Sequence, residues 1–138
     1  MSSPIRRPDG FTLTELLIGL AIASLLAALA YPAYTAQLAG IRREDGRQGL
    51  HELARRLEQH HQRWGTYAGA QAGPGGLLPA LSPGGHYRLE VVEADPAGYR
   101  LAAVPQGAQA GDGCATLTYN HLGEAGASGG PAAGRCWP

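Results

Sequence analysis

Glu15 is the residue whose setting points most directly to chemistry. It is a lone carboxylate one helical turn inside an apolar run that extends from Phe11 to Tyr31 and is followed by Pro32. About 20 apolar residues suffice to cross a bilayer as a helix. A charge in such a run costs a few kcal/mol at the bilayer centre and ordinarily has a partner. The implied chemistry is pairing with a cation in a low dielectric. The two cysteines, Cys114 and Cys136, both lie beyond this run. In an exported domain an even count suggests a disulfide, and two cysteines allow one pairing. A reactive or metal-binding pair is the rival reading, without a C-x-x-C or a companion ligand cluster to support it.

Other constellations carry less. His51 and His60 are too far apart in sequence for the i, i+4 chelate of a helical metal site, so His51, His60 and His61 are expected to face solvent or another subunit. Gly73-Pro74-Gly75-Gly76 and Gly129-Gly130 lack a following Gly-Lys, and the chain has no lysine, which excludes a P-loop. No nucleophile–base–acid set stands out. The expectation is a protein that is not an enzyme, with no catalytic residue, metal or cofactor.

Charge weighs against nucleic acid as a partner. The 138 residues carry no net charge, and the basic residues, all arginine, number 11 against 11 acids. Arg42, Arg43, Arg47, Arg55, Arg56 and Arg63 alternate with Glu44, Asp45, Glu52 and Glu58. DNA binding needs a basic stripe that outcompetes nearby acids. An interleaved face reads instead as solvated or subunit-facing, although a local patch of Arg88, Arg100 and Arg135 stays open.

The elements that hold these residues follow from periodicity. Residues 11–31 form one apolar helix, preceded by a polar leader at 1–10 whose Arg6 and Arg7 favour the cytoplasm. Pro32 is the expected helix break, since it lacks an N–H and clashes with the preceding turn. Beyond it, Leu38, Ile41, Leu50, Leu53, Leu57 and Trp64 recur near helical spacing, an apolar stripe to be laid on a sheet. Glu52 is placed to pair with Arg55 and Arg56. Gly46 and Gly49 are candidates for a bend, and Gly65 for the C-terminal stop. The helix is thus expected from about Thr12 to Trp64. Residues 65–85 read as a loop tucked in by Leu77, Leu78 and Leu81. Tyr87, Leu89 and Val91 alternate with Arg88 and Glu90, and after the turn Asp95-Pro96-Ala97-Gly98 come Tyr99 and Leu101, a hairpin. Ala115, Leu117 and Tyr119 give a third strand, and Asn120-His121-Leu122-Gly123 turns the chain into a glycine-rich tail.

Gly10-Phe11-Thr12-Leu13-Thr14-Glu15, set between a basic leader and an apolar run, resembles the cleavage and N-methylation signature of type IV prepilins and of type II secretion pseudopilins. The resemblance implies that a prepilin peptidase cuts after Gly10 and methylates Phe11. It further implies that Glu15 pairs with the methylated amine of a neighbouring subunit during filament assembly. Asp9 departs from the pattern, where a basic or neutral residue is common. Two other readings of the run are a plain membrane anchor and a secretory signal cut after Ala28-Leu29-Ala30, and neither has a use for Glu15. Gly111-Asp112-Gly113-Cys114 with the terminal Cys136-Trp137 resembles the disulfide-bounded C-terminal loop of a group of minor type IV pilins.

The expected fold is α+β. A long N-terminal helix, half transmembrane and half amphipathic, packs on a small antiparallel sheet with a Cys114–Cys136 loop. The expected organisation is a leader at 1–10, a transmembrane and filament-core helix at 11–31, and a head domain at 32–138 in the periplasm or outside the cell. The expected function is that of a minor pilin in pilus assembly, with twitching motility or adhesion following from the resemblance. The alternatives are a type II secretion pseudopilin and a DNA-capturing pilin. Partners are then other pilin subunits, the peptidase and the inner membrane before assembly, and the cell-surface pilus is the final location.

Overall fold

Thr12 and Glu15 begin the first element. In this computed structural model, which describes residues 10–72, 76, 78–130 and 133–137, helix α1 spans Leu13–Trp64. Thr12 precedes it, and Glu15 Oε2 accepts hydrogen bonds from Thr12 N at 2.8 Å and Thr12 Oγ1 at 2.9 Å. Glu15 N donates back to Thr12 Oγ1 at 3.3 Å. This is a reciprocal capping box, which satisfies donors a helix start otherwise leaves open. Glu15 therefore has a structural use besides the expected assembly role, one that the Thr12-x-x-Glu15 spacing ahead of the apolar run encodes. The leader residues Arg6, Arg7 and Asp9 lie outside the described residues, as do Gly73, Pro74, Gly75 and Leu77.

The chain divides after Gln37 into two units. In the first, all residues from Gly10 to Gln37 are exposed, and α1 is long and apolar enough to cross a membrane. A helix with apolar side chains on every side needs lipid or other helices around it. Pro32 does not break α1, which is assigned as helix on both sides of it. A proline withdraws one N–H from a ladder that here has dozens of others, and the expected interruption is absent.

In the second unit, the later part of α1 lies on a sheet. Gly46, Gly49, Leu50, Leu53, Ala54 and Leu57 are buried, a stripe at the i, i+3, i+4, i+7 spacing of one helical face. The ends of the expected stripe are not part of it, since Ile41 and Trp64 are 63% and 65% exposed. The two glycines mark close approach rather than a bend. A Cβ at Gly46 would sit 2.9 Å from the Tyr87 ring, and one at Gly49 would sit 3.0 Å from Leu89.

The sheet is an antiparallel meander of β1 (Tyr87–Ala94), β2 (Tyr99–Pro105), β3 (Leu117–Asn120) and β4 (Ala125–Ala127), in the order β1-β2-β3-β4. Tyr87, Leu89, Tyr99, Leu101, Ala103 and Leu117 are buried and alternate with outward residues as the pleat requires. The expected hairpin is present. Asp95 Oδ1 accepts from the backbone N–H groups of Ala97 and Gly98, both at 2.7 Å. A register shift between Val91 and Glu93 leaves Val92 outside the ladder. The third strand starts at Leu117, because Ala115 has φ +51° and cannot continue a strand. The fourth strand falls in the stretch expected to be glycine-rich tail. Its Ala-Gly-Ala sequence has no β preference; it is held in register with β3, with Ala127 packed against the core.

Polar contacts fasten the loops to α1. Asp45 accepts from Ser82 Oγ and from Gly84 N at 2.6 Å. Arg43 forks onto Asp112, with Nη2 to Oδ1 at 2.6 Å and Nε to Oδ2 at 2.9 Å. Gln109, buried, donates to Ala39 O and to Tyr87 Oη, each at 3.1 Å. Cys114 and Cys136 form a disulfide with a Cα separation of 5.7 Å. It constrains the unfolded chain by about 3 kcal/mol in the entropic account. Arg47 Nη1 donates to Cys136 O at 2.7 Å, and Trp137 Nε1 to Gly126 O at 2.7 Å. Of the leucines expected to hold the long loop, Leu78 is buried and Leu81 is exposed.

Candidate functional site

The residues singled out from the sequence fall in two places. Gly10, Phe11, Glu15 and Pro32 belong to the first unit, where Phe11 is 83% exposed. Both bonds that Glu15 accepts from Thr12 go to Oε2, so Oε1 is left for another donor among the described residues. Cys114 and Cys136 belong to the second unit, where the sulfurs are bonded and buried. The histidines go to separate neighbours. His51 meets Tyr119 edge-on at 5.0 Å, His61 stacks on Tyr67 at 4.3 Å, and His60 Nε2 lies 3.3 Å from Ala68 O.

The second unit also contains a groove that sequence reasoning missed. Helix α1 ends where Gly65 adopts φ +70° and its N–H bonds His61 O at 2.7 Å, a left-handed stop that glycine supplies without strain. The chain then folds back. Tyr67 is buried, packs edge-on against Tyr99 and donates to Glu58 at 3.1 Å. Between the last turns of α1 and the returning loop lies a groove of about 1020 Å³. Its helical wall is Arg55, Arg56, Gln59, His60, Gln62, Arg63 and Trp64, and its loop wall includes Gln71 and Leu78.

The lining holds three guanidinium groups and, among the described residues, no carboxylate. Glu52, just outside, bonds both Arg55 and Arg56, at 2.7 and 2.8 Å. Arg55 first and Arg56 second hold its carboxyl down to about 2, so one negative charge is shared between two positive ones. Arg63 has no carboxylate partner among the described residues. Its place in the last turn of α1 also suits the negative end of the helix dipole. Of the patch left open from sequence, Arg88 pairs with Glu90 and Arg100 with Glu93, while Arg135 is exposed and has no carboxylate partner among the described residues. A concave surface carrying guanidinium groups, amide side chains and an exposed indole can bind phosphates and the faces or edges of bases. A signal for it was present in the sequence. No Asp or Glu occurs between Glu58 and Glu90, so the interleaving of charge stops partway along the groove's helical wall, and Gln59 to Leu78 supply the rest of the lining without a carboxylate.

The comparisons with known proteins bear on both places. The family described as "Type IV minor pilin ComP, DNA uptake sequence receptor" matches residues 32–118. The family described as "Prokaryotic N-terminal methylation motif" matches residues 5–31. Among solved structures, a type IV pilin from Shewanella oneidensis is 32% identical, with a TM-score of 0.50, over 72% of this chain and 98% of that one. The Neisseria meningitidis non-core minor pilin PilV shares the fold, with a TM-score of 0.56 and 21% identity over 67% of this chain and 89% of that one. Among curated proteins, none matches. The first match corrects the expectation against nucleic acid. The charge count that carried that expectation averaged over the whole chain, whereas the groove's three arginines have one carboxylate partner among the described residues, Glu52, shared by Arg55 and Arg56.

Proposed function

The chain belongs to the family of type IV minor pilins described by ComP, and from that premise we propose that it captures DNA at the surface of a pilus. Twitching and adhesion, expected from the sequence as the main outcome of assembly, give way to this reading. The observation that carries it is the groove at the end of α1, lined by Arg55, Arg56 and Arg63 without a carboxylate among the described residues, inside the segment that the DNA-receptor family matches. Phosphate contacts by such groups release counterions, which makes binding strong at low salt and weak at high salt.

The N-terminal segment supplies delivery. Cleavage after Gly10, methylation of Phe11 and pairing of Glu15 across subunits would move residues 11–31 from the inner membrane into the filament core. The head, residues 32–138, would then carry the groove outside the cell. The matched methylation motif at residues 5–31 supports this part.

Fluorescence anisotropy of a labelled short duplex, titrated with the full chain in detergent, tests the reading. Binding is expected to weaken linearly in log–log form as salt rises. Changing Arg55, Arg56 and Arg63 together to alanine should lower the slope by about 2 to 3, near 0.9 for each phosphate that is no longer neutralised. Absence of binding at low salt, or a triple variant that binds as the parent does, would refute it.

A further inference from the structure

We infer that Arg42 docks on phospholipid, its guanidinium holding a lipid phosphate at the outer face of the membrane while the subunit awaits assembly. The inference concerns the membrane-resident subunit and stands apart from DNA capture. The starting point is the spacing of charge along α1. Between Glu15 and Arg42 the sequence has no Asp, Glu, Lys, Arg or His. At about 1.5 Å per residue this stretch covers about 40 Å, the thickness of a bilayer with its headgroups. With Glu15 in one headgroup layer, Arg42 reaches the other. Tyr31 and Tyr34 are exposed and precede it by about three and two turns, where aromatic rings mark a membrane surface.

Arg42 is set apart by having no task within the head. Its neighbour Arg43 forks onto Asp112, and Arg47 holds Glu44 and Cys136 O. Asp45, one turn after Arg42, accepts from Ser82 Oγ, Gly84 N and His86 N. Arg42 itself has neither a carboxylate nor a hydrogen-bond partner among the described residues. The turn that carries it is nonetheless fixed, since Gln109 donates to Ala39 O and Asp112 grips Arg43. Ile41 beside it is 63% exposed. In the polar layer of a membrane the guanidinium meets phosphate oxygens, for which its planar fork is suited, and apolar stems lie along the acyl boundary. A basic residue just outside a span also runs against the usual cytoplasmic bias, so a free arginine there calls for a local anion. The nearby carboxylates are engaged elsewhere, and the membrane offers phosphate.

The test uses the full chain with labelled arginine in bilayers of phosphatidylcholine and phosphatidylglycerol. Carbon–phosphorus dipolar dephasing in solid-state NMR reads which guanidinium carbons touch lipid phosphate. The Arg42 ζ-carbon should be dephased, and that of Arg43, locked on Asp112, should not. Arg42→Gln should lower the preference for spin-labelled phosphatidylglycerol by up to about 5-fold, the equivalent of about 1 kcal/mol for one basic residue at an anionic surface. Arg42→Lys should recover most of it. Arg42→Gln breaks no contact within the head, and an unchanged thermal melt will confirm that it folds. The same NMR measurement in phosphorus-free detergent with inorganic phosphate should show no dephasing. Dephasing as strong there as in bilayers would assign the site to free phosphate and overturn the lipid reading. Absence of dephasing at Arg42 in bilayers, equal dephasing at Arg43, or an Arg42→Gln variant with the parent's lipid preference would also overturn it. Each of these outcomes leaves DNA capture standing.

Discussion

Glu15 has two roles to separate, and one pair of substitutions separates them. As a cap it accepts from Thr12 N and Thr12 Oγ1 through Oε2. As the proposed assembly charge it would offer Oε1 to the amine created at Phe11 of a neighbouring subunit. Glu15→Gln keeps the cap, since Gln serves in a capping box as Glu does, and removes the charge. Glu15→Ala removes both, with a capping loss of about 0.5–2 kcal/mol. An ammonium left unpaired in an apolar bundle costs up to about 2.5–3.5 kcal/mol on insertion scales. That corresponds to roughly 60- to 300-fold poorer incorporation as an upper bound, and it should fall on both variants alike. The assay compares processed subunit in the membrane fraction with subunit in sheared filaments, in cells that supply their own major pilin. Both variants are expected in the membrane and scarce in filaments. If Glu15→Gln enters filaments as the parent does while Glu15→Ala does not, Glu15 acts as a helix cap and the assembly-charge role is refuted.

Three further outcomes concern the head. Arg43→Ala would strand the Asp112 carboxylate, whose side chain is only 2% exposed, at a cost near 3 kcal/mol for breaking a buried pair from one side. At about 4–8 °C per kcal/mol for a head of roughly 100 residues, the melting temperature by near-ultraviolet circular dichroism should fall by about 12–24 °C. The double variant Arg43→Met with Asp112→Leu should recover most of the loss, and a drop under about 2 °C for the single change would disprove the clamp. Gly46→Ala should also lower the melting temperature. Its methyl would meet the Tyr87 ring at 2.9 Å, and overpacking by about 1–3 kcal/mol outweighs a helix-propensity gain near 1 kcal/mol. Gly40→Ala, with open space around it, should raise it by the same measurement.

What could be read from the sequence, and what could not, divides by how local the governing physics is. The apolar run and the Leu50, Leu53 and Leu57 stripe were legible because lipid and core impose strict periods on the residues themselves. Strand β4 was not, because Ala125–Ala127 is held by the backbone of β3 and carries no preference of its own. Trp64 was misassigned because period alone cannot tell that Tyr67 folds back and takes its place. The judgement on nucleic acid failed for a related reason. Counting charges treats each carboxylate as though it neutralised the nearest arginine. Yet Asp45 is engaged by the loop at Ser82 and Gly84, Asp112 by Arg43, Glu58 by Tyr67 and Asp95 by its own turn. With several acids occupied in fastening loops, a chain of zero net charge can still present a groove walled by three arginines that have a single carboxylate, Glu52, beside them. The neutrality that argued against a DNA-binding face is thus an average over a chain in which some acids fasten loops, others pair with arginines, and few lie beside the groove.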